Sequence, residues 1–201
     1  MIARRWASTA WLLTAATVVP ACSSFLTSDA PPETVYWLEP LDLPPSVSSG
    51  GAPSVSVRVT AAPGLDADRL LVRGPGATLS PYAGARWADR IPDVLSVLLR
   101  TVLEDSGRFG RVSSSTSGIR ADWLLDLEVR SFYAVATADG APPSIAVEIR
   151  GHLECVGNAL PIRIESRANV AARTLTSIVQ GFQSAVDDSA MALIEQTTGR
   201  C

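Results

Sequence analysis

Lysine is missing from this 201-residue sequence, and all 17 of its basic residues are arginine. A phosphate-binding Gly-x-x-x-x-Gly-Lys-Ser/Thr loop needs that lysine against the β- and γ-phosphates, so the chain does not hydrolyse ATP by a P-loop. Histidine is almost missing too: His152 is the only one. A metal site would need cysteine or carboxylate partners around it. Cys155 lies three residues further on and on the opposite face of a strand, so the two cannot share a metal. A lone histidine can still act as a base, but the charged neighbours of His152 point to a solvated surface position. No Gly-x-Ser-x-Gly elbow occurs, and no triad can be assembled. Gly74-Pro-Gly-Ala-Thr-Leu79 starts like a dinucleotide loop but lacks the third glycine and the strand–helix frame, so it reads as a turn. Asp187-Asp188 and Glu104-Asp105 are adjacent pairs on expected helices; neighbours there point about 100° apart and make no acid–base dyad. No catalytic residue, metal ligand or cofactor-binding residue follows from the sequence.

Long apolar runs are also lacking. The longest useful one, from Trp11 to Val19, is far short of the roughly 20 residues that span a bilayer. It is preceded by Arg4 and Arg5 and followed by Pro20-Ala21-Cys22-Ser23-Ser24, the order of a secretory signal. A small residue before a cysteine resembles a bacterial lipobox, in which the chain is cut ahead of Cys22 and Cys22 is acylated. The alternative is ordinary secretion, with Cys22 left as a thiol. The expected organisation is a signal peptide over 1–21, a Ser/Thr/Pro-rich tether over 22–33, and one domain over 34–201. Without the signal, fifteen arginines face twenty acidic residues, a formal charge of −5. An acidic domain without a basic cluster argues against nucleic acid and against polybasic adhesion to anionic lipid.

Cys22, Cys155 and Cys201 are the only cysteines. If Cys22 is acylated, Cys155 and Cys201 either pair or remain two thiols in a compartment that permits disulfides. Closing that separation would be worth on the order of 4 kcal/mol in the chain-entropy model.

Thr34 to Leu38 is rich in β-branched and aromatic residues and reads as a first strand. Residues 44–54, dense in Pro, Ser and Gly, read as a loop. Val55, Val57 and Val59 alternate with polar residues, and Leu70 to Val72 forms another short strand. A helix is expected from about Pro92 to Ser106, with Leu95, Leu98, Leu99, Val102 and Leu103 on one stripe, Trp87–Ile91 as a separate turn before it, and Gly107 as the stop. Three long alternating runs follow. Trp123, Leu125, Leu127 and Val129 share a face, as do Ile145, Val147, Ile149, Gly151 and Leu153, and then Ile162, Ile164, Ser166, Ala168 and Val170. Their opposite faces are charged, which describes an antiparallel meander covered on one side. A second helix over about 178–198 offers Ile178, Phe182, Ala185, Val186, Leu193 and Ile194 to that side. The expected class is therefore α+β: a mostly antiparallel sheet with two helices packed on one face. Trp37, Trp87 and Trp123 read as core or interface aromatics.

The ordered segments resemble a known family, the auxiliary lipoprotein component of ABC-type transport systems (the PqiC-like intermembrane transport group). The matching pieces are the lipobox at Cys22, Tyr36-Trp-Leu-Glu-Pro40, Pro63-Gly-Leu-Asp-Ala-Asp-Arg69, Arg86-Trp-Ala-Asp89 and Ala121 to Phe132. The resemblance covers about residues 34–197. It implies a non-enzymatic, lipid-anchored protein on the periplasmic face of the outer membrane. Its implied partners are an MCE-domain protein, an inner-membrane permease and an ATPase that together move lipids between membranes; a homo-oligomer is compatible with it. Only Cys22 carries over as a functional residue. A lipoprotein that scaffolds an envelope assembly or secretion complex is the alternative, and an envelope hydrolase has no constellation to support it. Contacts are expected at sheet edges, with Val57 and Leu71 as edge-strand positions, and at the loops 44–54 and 138–144.

Overall fold

The computed structural model describes residues 32–198, apart from 45, 138 and 139. The elements run β1 (Thr34–Tyr36), β2 (Ser54–Ala61), β3 (Arg69–Arg73), β4 (Leu79–Trp87), α1 (Ile91–Asp105), β5 (Arg111–Ser114), β6 (Trp123–Val135), β7 (Ser144–Cys155), β8 (Asn158–Asn169) and α2 (Leu175–Thr197). Both helices and the inner faces of the strands contribute to one buried cluster.

The three alternating runs form the expected meander. β6 pairs antiparallel with β7 over its whole length, and β7 pairs likewise with β8, Ile149 facing Ile164 and Leu153 facing Leu160. The sheet as a whole is not mostly antiparallel. Four of its seven strand pairings are parallel: β1 with β4, β2 with β5, β2 with β6, and β3 with β6. The class is α+β with a mixed sheet.

The discrepancy has a local cause. β4 and β5 are strands that the hydrophobic pattern does not announce. β4 reads Leu-Ser-Pro-Tyr-Ala-Gly-Ala-Arg-Trp, too rich in small residues, proline and glycine to alternate cleanly. Trp87 ends this strand instead of opening a helical turn. α1 then carries the chain from β4 to the far side of the sheet, where β5 pairs parallel with β2 at an edge. Pro92 sits in the first turn of α1, where its missing N–H costs nothing, and Gly107 follows the helix at φ +65. A Cβ on Gly107 would also stand 2.6 Å from Cβ of Ser46, so glycine is required twice over.

β6 is the pivot of the sheet. Its first half borders β2, ending at Ala61 opposite Val129, and its second half borders β3, beginning at Val72 opposite Ala134. Between them the register against β7 shifts at Arg130, between Val129 and Ser131. The bulge reverses which parity faces inward, so Phe132 and Ala134 join Val129 in the core. Phe132 stacks on Phe182 of α2 at 4.9 Å, and Trp87 stands edge-on to both rings. Trp87 Nε1 is the one buried side-chain polar atom without a hydrogen-bond partner among the described residues; the neighbouring ring faces are the acceptors available to it.

α2 approaches the sheet closely. A Cβ on Gly181 would come within 2.9 Å of Ile145. Ser189, 1% exposed, donates to Ala185 O at 2.7 Å and accepts from the Ser166 hydroxyl on β8 at 2.9 Å, which satisfies a hydroxyl buried between helix and strand. At its N-terminus, three residues ahead of the expected start, Thr174 caps the helix by accepting from the Ser177 N–H.

Candidate interaction surface

The segment that enters the domain is pinned at four successive points. Glu33 accepts from Arg69 at 2.9 Å and lies 3.6 Å from Arg86, bridging β3 and β4. β1 adds to β4 in parallel, and Tyr36 O accepts from the Ala88 N–H at 2.9 Å. Leu38 is fully buried. Beyond it, the side-chain amide of Gln183 in α2 binds the backbone of Glu39 twice, accepting from its N–H at 2.9 Å and donating to its carbonyl at 2.8 Å. The amide thus takes the place of a neighbouring strand for one residue. Val35 and Trp37 alternate outward from this pinned segment, and Trp37 is 65% exposed. Of the three tryptophans among the described residues, Trp87 and Trp123 pack in or against the core, Trp123 edge-on to Phe109, whereas Trp37 does not.

β8 is the long edge of the sheet, since it pairs only with β7. Gln196 blunts that edge at one residue, accepting from the Arg163 N–H at 3.1 Å and donating to its carbonyl at 2.8 Å. Pro161 has no N–H to offer a partner there. β1 and β5 end the other branches. The two edge positions expected from the sequence are misplaced. Val57 is buried in β2, which lies between β5 and β6, and Leu71 is buried in β3, between β4 and β6. Short alternating strands look alike from sequence whether they end a sheet or sit inside it.

The face opposite the helices carries a cross-strand ladder of charges. Arg58 forks onto Asp126, which holds the guanidinium pKa above its usual value. Arg150 lies between Glu148 at 2.6 Å and Glu165 at 2.7 Å, and Arg130 pairs with Glu128 at 2.9 Å. At the end of the ladder Asp122 accepts from the Ser54 N–H and hydroxyl, and these bonds lower its pKa. Ion pairs this exposed contribute little stability each, but they keep the face solvated. His152 belongs to this face as expected, 3.1 Å from Glu154. Among the described residues no cluster of His, Cys, Asp or Glu could hold a metal ion, and no helix is long and apolar enough to cross a membrane.

Cys22 and Cys201 lie outside the described residues. Cys155, buried at the end of β7, is engaged in a disulfide. The loop over 44–54 is tied to the end of α1 through Ser46, whose N–H donates to Asp105 O at 3.3 Å, and it exposes Val47 almost completely. In the 138–144 loop, the Gly140 carbonyl accepts from Arg173 at 3.3 Å and the Ala141 carbonyl from Thr137 at 2.9 Å; residues 138 and 139 lie outside the description. The two glutamines have no sequence signature, because a helical glutamine is ordinarily solvated.

The fold has solved counterparts. The crystal structure of protein XCC0632 from Xanthomonas campestris superposes with a TM-score of 0.70 at 21% identity, covering 80% of this chain and 92% of that one. An uncharacterized protein of known crystal structure superposes with a TM-score of 0.64 at 13% identity, covering 84% of this chain and all of that one. No curated protein matches the sequence. At these identities the counterparts establish the fold alone, while the sequence itself matches a family over residues 36–193. The chain belongs to the ABC-type transport auxiliary lipoprotein components.

Proposed function

We propose that this protein is a lipid-anchored, non-enzymatic auxiliary component of an intermembrane lipid transport system. Its acylated Cys22 ties the domain to the periplasmic face of the outer membrane. There it works with an MCE-domain protein, an inner-membrane permease and an ATPase. The observation that carries this reading is the family match across residues 36–193, which spans nearly the whole described domain. Two features support it. The entry segment from Glu33 to Glu39 is fastened by ion pairs, strand pairing, a buried leucine and an amide clamp, as a domain held by its N-terminal tether requires. The charge-paired outer face leaves the edges of β1 and β8 and the exposed loops as the surfaces that meet partners.

A deletion strain complemented with variants tests the proposal. Wild type and His152→Ala restore envelope resistance to lipophilic compounds, whereas Cys22→Ser leaves the membrane fraction and fails to restore it. Several acyl chains give stable retention where a single chain does not. Loss of function in a folded His152→Ala protein would overturn the non-enzymatic reading, and normal pelleting of Cys22→Ser would overturn the anchor.

A further inference from the structure

The solvated face of the sheet is not uniformly charge-paired. Past the bulge in β6, a depression of about 420 Å³ opens between the 74–77 turn and β8. Its floor is made of small residues, Ser131, Ser144 and Ala146, where longer side chains would fill the groove. Tyr133, Ala146 and Arg167 form one row across β6, β7 and β8. Arg73 flanks that row from β3, its residue paired with Val135.

The arginines at the two sides differ from the others of the ladder. Arg150 is taken by both glutamates of the depression, Glu148 and Glu165. Arg73 has no carboxylate partner. It donates to the Tyr133 hydroxyl at 3.3 Å and lies over that ring, 5.8 Å from its centre. The Tyr133 hydroxyl in turn meets Ser131 Oγ at 3.1 Å, and Ser131 reaches Glu148 at 3.5 Å. This chain orients Arg73 and leaves most of its N–H groups unused. The Arg167 side chain has no hydrogen bond or ion pair among the described residues. The depression itself is lined by two arginines and two glutamates, and because Arg150 beside it already pairs with both glutamates, the unmatched charge sits with the Arg73 and Arg167 guanidinium groups at opposite walls. Arg73 and Arg167 rise from strands three apart, a backbone gap of roughly 14 Å, and the Arg73 guanidinium already reaches inward over Tyr133, so the two long side chains can close on one tetrahedral oxyanion. One wall is the turn holding Ala77 at φ +60, the only non-glycine residue with positive φ among the described residues. A left-handed alanine is held against its own preference by its surroundings, and such strain gathers at functional positions.

We propose that this depression binds a phosphate group, forked between Arg73 and Arg167, with the hydroxyls of Ser131 and Ser144 beneath it. The inference stands apart from the transport reading, since it rests on the depression alone. Planar guanidinium groups match phosphate oxygens two at a time, which favours this ligand over a halide. The phosphate is either free or carried on a lipid headgroup, and the two sources are separable.

The test uses the full-length chain in neutral detergent micelles at low salt, titrated with inorganic phosphate, glycerol 3-phosphate and glycerol, and followed by calorimetry and phosphorus NMR linewidth. Both phosphates bind and glycerol does not. Arg73→Gln and Arg167→Gln each weaken binding at least tenfold, while Arg163→Gln, on the same face outside the depression, stays within twofold. Circular dichroism checks that each variant is folded, and Arg73→Lys, which keeps the charge without the fork, recovers only part of the affinity. The source follows from flotation of the Cys22→Ser chain with vesicles. A headgroup ligand gives flotation with phosphatidylglycerol but not phosphatidylcholine, lost in Arg167→Gln and competed by glycerol 3-phosphate. A free phosphate ligand gives no flotation beside intact micellar titration. Absence of phosphate binding, or equal weakening by Arg163→Gln and Arg167→Gln, would overturn the proposal.

Discussion

Gly151 is where a single methyl group should do the most damage. It lies in β7 opposite Leu127 of β6 and Ile162 of β8, in the middle of the meander. A Cβ built there would stand 1.9 Å from the carbonyl oxygen of Asp126 and 3.0 Å from Cα of Leu127. Both obstacles are backbone, so no rotamer change relieves them. Gly151→Ala must part β6 from β7 by more than an ångström. Overpacking of this kind costs about 1–3 kcal/mol, and each ladder hydrogen bond stretched out of range adds about 0.5–1.5 kcal/mol. A loss of about 3 kcal/mol is therefore expected, which for a domain of this size lowers Tm by about 6–12 °C. Thermal unfolding followed by circular dichroism reads it directly. Gly157→Ala is the matched control. It has φ +80 but open space around its Cβ, so it should cost only the left-handed penalty of about 1–2 kcal/mol. Should Gly151→Ala melt no lower than Gly157→Ala, close approach of the strands is not what requires glycine there.

Other consequences can be checked with the same domain. Burial raises the pKa of Asp187 above its usual value, so its charged form costs stability at neutral pH and the cost fades as the carboxyl protonates on acidification. Asp187→Asn, which still accepts from Gln183, should raise Tm at pH 7 and lose the advantage near pH 4; a constant difference across pH would refute the assignment. Gln183→Ala removes both bonds to Glu39 and should loosen the entry segment, seen as faster limited proteolysis near residue 39 with the rest of the domain intact. The partner of Cys155 is proposed to be Cys201. The last turn of α2 lies beside Trp123, which is paired with Cys155, and the chain end is three residues away from Thr198. Non-reducing peptide mapping should recover the 155–201 linkage, and a 22–155 linkage would reject both this pairing and acylation of Cys22.

The parts legible in the sequence are those in which one face is apolar and the other charged over many residues. β6, β7, β8, α1 and α2 all meet that condition, and their apolar stripes are the core. β4 and β5 do not, and without them the parallel half of the sheet is invisible. The bulge at Arg130 is equally silent, because Val129 and Phe132 belong to one face only after an extra residue is accommodated. His152 was placed on the solvated face by its neighbours alone. Edge positions are not legible: neither the alternation around Val57 nor the short apolar run Leu70-Leu-Val72 distinguishes an edge strand from an interior one, and only pairing partners elsewhere in the chain make them interior. The depression at Arg73 and Arg167 draws its residues from four strands, so no local pattern points to it.

The central claim is that the domain serves a transport machine through contact, from a membrane anchor. Affinity capture of the full-length chain from cross-linked, detergent-solubilised envelope, with the captured proteins identified by mass spectrometry, tests it most directly. An MCE-domain protein, together with its permease and ATPase, should be recovered with the wild type and be lost with Cys22→Ser. Recovery of none of these three from an envelope that contains them, with the chain folded and anchored, would contradict the account.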